Sequence, residues 1–136
     1  MQWSKLKKRF ESLLAPSLRG RIQVHLTEYT KTNQFDVGRG WVTLDGKEIV
    51  SVQIPSFYSN NITFSTETLD FGKALSHYLS LSIDEARAST DSLVCGFAFL
   101  DRRLGKRSLA STNTQNLHEF SRILYGVRCV AENIPR

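Results

Sequence analysis

The sequence contains no apolar run near the roughly 20 residues that a helix needs to cross a bilayer, which excludes a helical membrane protein. Its first residues carry Lys5, Lys7, Lys8 and Arg9 with no continuous apolar stretch behind them, so a secretory signal is not expected either. Cysteine is scarce. Cys95 and Cys129 sit among apolar residues, without CxxC spacing and without a neighbouring histidine. Neither a disulfide framework nor a zinc site is indicated, and both thiols are expected as reduced core residues.

The motifs of common enzyme chemistry are also missing. There is no GxGxxG, Walker loop, HExxH or GxSxG, and Gly38-Arg39-Gly40 lacks the third glycine and the following helix of a dinucleotide fingerprint. His25, His77 and His118 are far apart and fall on one expected strand and two expected helices. A Ser, Asp and His trio can be picked from any chain this rich in serine, so it carries almost no information. Asp84 and Glu85 are adjacent acids in the first turn of an expected helix, where the macrodipole favours negative charge. No catalytic, cofactor-binding or metal-ligating residue is assigned on this basis, and no cofactor is implied. An enzyme with an unrecognised site ranks last among the functional readings.

What is present is an ordinary globular composition, with 40% hydrophobic and 23% charged residues in a chain of 136. That length is enough for one sizeable core, so a single domain over residues 1–136 is expected. The net charge of +5 is unevenly spread. Residues 1–25 hold six basic and one acidic residue, residues 26–91 five and nine, and residues 92–136 seven and three. Both ends are basic and the middle is acidic. This suits an anionic partner such as nucleic acid, a membrane surface or an acidic protein, although opposite charges in one domain can also face each other.

Periodicity predicts an α+β fold: an N-terminal helix, a three-stranded antiparallel sheet, then three to four helices packed on one face. Trp3, Leu6, Phe10, Leu13 and Leu14 recur three and four apart, and Pro16 with Gly20 ends the helix. This basic amphipathic helix could lie on a membrane, but docking on the sheet is favoured. Period two then predicts strands at 21–29, 39–44 and 47–54, the last two joined by an Asp45-Gly46 turn. A regular ladder from that turn sets Val42 opposite Ile49 and Trp41 opposite Val50, placing Trp41, Val50, Val52 and Ile54 on the core face. Ser65 or Thr66 can cap the next helix, Ser82 with Glu85 forms a capping box, and Asp91 caps a helix running through Leu100 and Leu104 to Gly105. The last helix is expected over roughly 115–131.

The stretches MQWSKLKKR, GRGWVTLDGKEI, FLDRRLGKRSL and VRCVAE together resemble the shared pattern of an uncharacterised family of small bacterial cytoplasmic proteins. LDRRLGKR is the most specific of them. The resemblance implies a bacterial origin and a cytoplasmic location, and it brings no activity with it. Thr90-Asp91-Ser92 departs from the pattern, which has an Asn-Pro turn there.

One constellation rises above background: Arg102, Arg103, Lys106 and Arg107, four cations within six positions, preceded by Asp101. They can anchor a phosphate or carboxylate, with Arg102 or Arg103 bidentate. The competing reading is structural, with Asp101 paired to a neighbour and the cations serving a helix C-terminus. The leading expectation is a binding or regulatory module that contacts an acidic protein or other anionic partner through these four residues. A nucleic-acid-binding protein is the alternative. The α-β-β-β-α order is shared with the double-stranded-RNA-binding fold, but the helix around Leu69–Leu79 carries only Lys73 as a cation. Trp41, Phe97 and Phe120 are assigned to the core, which leaves no exposed aromatic for stacking.

Overall fold

The computed structural model describes residues 3–27, 39–53 and 71–135. The expectations for 28–29, for Ile54 and Pro55, for the polar stretches around Asn33 and Asn60, and for a cap at Ser65 or Thr66 lie outside the described residues. Helix α1 (Trp3–Ser12) is followed by strands β1 (Ile22–Thr27), β2 (Arg39–Leu44) and β3 (Lys47–Gln53). Five described helices come next: α2 (Phe71–Ser80), α3 (Ile83–Arg87), α4 (Ser92–Phe99), α5 (Lys106–Ala110) and α6 (Glu119–Ala131).

The strands pair antiparallel in the order β1-β2-β3. Asp45 (φ 53°) and Gly46 (φ 84°) both adopt left-handed backbone at the β2–β3 turn, the geometry that matches the strand twist of a two-residue hairpin. The ladder is not regular beyond it. A bulge between Val42 and Thr43 leaves Ile49 without a partner, so that Val42 faces Val50 and Trp41 faces Ser51. The core face of the sheet therefore carries Ile22, Val24, Val42 and Val52, with Val50 packed beside them. Trp41 is not in the core. It lies half-buried on the opposite face, stacked on His25 with ring centroids 5.1 Å apart and with the Arg39 guanidinium 4.0 Å from its ring. A single extra residue accounts for the correction, because one step of register reverses which face a side chain takes.

Helices cover the core face, with α1 against β1, α2 against β2 and α6 against β3. Phe10 of α1 is 1% exposed and meets Tyr78 and Phe97 edge-on. The first helix is thus docked on the domain through the stripe that its sequence displays. Helix α4 is buried along its whole length, and Phe97 at its centre touches Phe10, Phe71, Tyr78 and Phe120. Gly96 lets α6 approach: a Cβ there would fall 2.6 Å from the Phe120 ring. Ser82 and Glu85 form the expected capping box, and Asp91 accepts from the Leu93 and Val94 amides at the start of α4. Cys95 and Cys129 are free and buried.

Candidate functional site: the braced basic loop

The segment after α4 departs from the expected continuous helix. The helix stops at Phe99 and α5 starts after Gly105, whose extended backbone (φ −87°, ψ 170°) makes it an N-cap rather than a helix end. The break follows from backbone partners outside the helix. Leu14 and Asp101 form a bridge, the Ala15 amide donates to Leu100 O at 2.9 Å, and the Arg102 amide donates to Leu13 O at 2.7 Å. Residues drawn into this strand-like contact cannot also continue an α-helical ladder.

Asp101 anchors the turn. Its side chain is wholly buried and accepts from the Tyr78 hydroxyl, from the Arg103 backbone amide at 2.8 Å, and from Arg103 Nη2 at 2.7 Å and Nε at 3.1 Å. A carboxylate taken from water survives only with such a set of donors. Burial, reinforced by the Asp101 charge, pushes the Tyr78 phenol well above its ordinary range, and its hydrogen bond to Asp101 raises the Arg103 guanidinium. Tyr78 stays protonated as a donor. Both carboxylate oxygens are engaged, so the cluster ties α2 to the turn after α4.

Arg128 of α6 braces the other side. Almost completely buried, it donates from Nη1 to Phe99 O at 3.0 Å and Asp101 O at 2.8 Å, and from Nη2 to Leu104 O at 2.7 Å. Its Nε pairs with Glu132, which also accepts from Ser17 Oγ at 3.3 Å. One guanidinium thereby satisfies the Phe99 carbonyl at the end of α4 and two carbonyls of the turn that follows. FLDRRLGKRSL and VRCVAE, far apart in the chain, meet here. Arg128 was missed in the sequence, where it reads as one more charge on an amphipathic helix. The available signals were its place four residues after Leu124 on the buried stripe and four before Glu132.

The four predicted contact residues divide. Arg103 belongs to the brace, its side chain 35% exposed and paired with Asp101. Arg102, Lys106 and Arg107 are exposed and, among the described residues, make no ion pair. Lys106 and Arg107 open α5 instead of closing a helix, so they face the positive end of its dipole and gain nothing from it. Lys106 also lines a cleft of about 360 Å³ with Pro16, Ser17, Ala131 and Glu132. The histidines have separate local roles: His25 Nε2 lies 3.1 Å from Thr43 Oγ1, His118 Nδ1 accepts from the Phe120 amide at the start of α6, and His77 is exposed. Among the described residues no group of three or more His, Cys, Asp or Glu side chains is arranged to hold a metal. No described helix is long and apolar enough to cross a membrane.

Searches of the curated proteins and of the solved structures return no match. A family model does match, over residues 2–68 and 58–129, and the chain belongs to the SF0329 protein family.

Proposed function

We propose that this member of the SF0329 protein family is a small bacterial cytoplasmic binding or regulatory module that contacts an acidic protein or another anion through Arg102, Lys106 and Arg107. The observation that carries the reading is the brace. Arg102 in the turn, and Lys106 and Arg107 at the start of the helix that follows it, make no ion pair among the described residues, and the backbone of that turn is held by Asp101, Arg103 and Arg128. A turn already ordered loses little conformational entropy when a partner arrives, which is the advantage of preorganisation. Among the described residues no carboxylate is paired with these three charges. Arg103 contributes by holding the turn, and its own charge is already matched by Asp101.

Nucleic-acid binding is the second reading, and the position of Trp41 favours it more than the sequence did. A half-buried indole beside His25 and Arg39, the latter also paired with Glu48, supplies an aromatic on the sheet face away from the core.

The test is capture from the native bacterium, with and without nuclease, by wild type and by an Arg102→Gln/Lys106→Gln/Arg107→Gln variant. The variant should melt like wild type, since exposed substitutions usually change stability by only about 0.5 kcal/mol each. Capture should fall. Nuclease-sensitive capture, with a salt slope flattened by roughly three units in the variant, selects nucleic acid. Capture by the folded variant equal to that of wild type refutes both readings of the loop.

A further inference from the structure

One side of α6 carries an apolar stripe at Ile123 and Val127, both half-buried, and the exposed Val130. Val130 is 63% exposed and is the one large hydrophobic residue fully at the surface among the described residues. With Leu18 and Leu44 the stripe lines an apolar groove of about 450 Å³. Arg21 and Arg122 stand among its lining residues, which include no acid. Asp45 matches the Arg21 charge, whereas Arg122, among the described residues, bonds carbonyls, donating to Leu117 O at 2.9 Å and making no ion pair. At the far end Ala131 belongs both to this groove and to the cleft that Lys106 lines.

We infer that this groove is the docking site for a short acidic amphipathic helix of a partner protein. The inference rests on the reading of the basic loop and gives its acidic partner a shape. From Arg122 to Ala131 the groove follows α6 for about 14 Å at 1.5 Å per residue, the length of two to three helical turns. Arg122 in the groove lining and Lys106 in the cleft that adjoins its other end, where Glu132 is already paired with Arg128, fit an occupant with acids at both ends. A lipid with a single head group lacks the second contact. A second copy of this chain would bring its own Arg122 and Lys106 to the same rim, where like charges oppose association. An acidic helix meets both requirements, laying its apolar face in the groove and its acids against the rims.

The experiment selects binders to the full chain from a displayed library of helix-favouring peptides about 12 residues long, a length matched to the groove. Enriched peptides should share apolar residues at i, i+3 or i+4 and i+7, with Asp or Glu at both ends. For a synthetic copy of the leading peptide, Val130→Glu should weaken binding about tenfold or more, as expected when a charge enters a buried contact. Arg122→Glu should weaken it about fivefold or more, with an effect that fades at high salt. Both side chains are exposed, so both variants should retain the wild-type melt. The inference is overturned by an absence of enrichment, by binders without acidic residues, or by binding indifferent to Val130→Glu. It is also overturned if Val130→Glu abolishes saturable binding of a fluorescent dodecanoic acid, or abolishes a wild-type dimer seen by sedimentation velocity. The two readings fail separately. Peptide binding lost in Val130→Glu while the three-Gln variant still captures its native partner retains the groove and rejects the loop, and the reverse result rejects the groove.

Discussion

Replacing Arg128 with Met removes the brace while nearly preserving side-chain volume. In the folded protein Glu132 would lose the guanidinium that offsets its desolvation, and the carbonyls of Phe99, Asp101 and Leu104 would lose donors at 3.0, 2.8 and 2.7 Å. Breaking a buried ion pair by removing one partner costs about 3–5 kcal/mol. Orphaned buried acceptors add about 1–3 kcal/mol each where water cannot reach them. The Asp101 carbonyl keeps its bond from the Leu104 amide, and the terms overlap as the turn relaxes, so about 4 kcal/mol is expected overall. That is a large part of the 5–15 kcal/mol typical of a domain. Urea unfolding should show it as a midpoint lowered by about 2 M for a slope near 2 kcal/mol/M. An Arg128→Met/Glu132→Leu double variant should be more stable than Arg128→Met, because no stranded carboxylate remains. A single-variant loss under about 1 kcal/mol, or a double variant no better than the single, would refute the brace.

Two further outcomes follow from the packing. Phe10→Ala should cost about 3–5 kcal/mol in a thermal or urea melt, the range for emptying a buried aromatic site, and a wild-type melt would show that α1 is not docked. His25 is held below its ordinary 6.5, first by burial and then by Lys7, with Arg39 acting in the same direction and Glu11 opposing. As pH falls through about 6.5 the unfolded chain therefore takes up this proton before the folded one, and stability declines. His25→Asn should flatten that decline, read from unfolding midpoints between about pH 7 and 5, and an unchanged slope would assign it to other groups.

Much of the architecture was legible because its signals are local. Asp45-Gly46 announces a hairpin, Ser82 with Glu85 a helix start, and Trp3 to Leu14 a docking stripe. The bulge at Ile49 was not legible. Trp41-Val42 and Ile49-Val50 are both adjacent apolar pairs, so two registers bury one member of each pair, and only tertiary packing chooses between them. The end of helix α4 is hidden in the sequence for a related reason. Leu100 and Leu104 continue its apolar spacing, while the interactions that end it come from Leu13, Ala15 and Arg128, remote in sequence. The basic cluster was found by composition, but its division into one structural and three free cations required knowing that Asp101 is buried.

The contacts that close the loop also set an order of events during synthesis. Helix α1 leaves the ribosome before its partners, and the segment just after it is secured by Leu100, Asp101 and Arg102, while Ser17 bonds Glu132 across a separation of 115 residues. Phe10 cannot find Phe97, nor can the turn be braced, until most of the chain has been made. For that interval the stripe of α1 lacks the Phe97, Tyr78 and sheet contacts that bury it in the folded protein. The cost of closing so large a loop grows only logarithmically with its length, so the delay burdens folding speed far more than final stability.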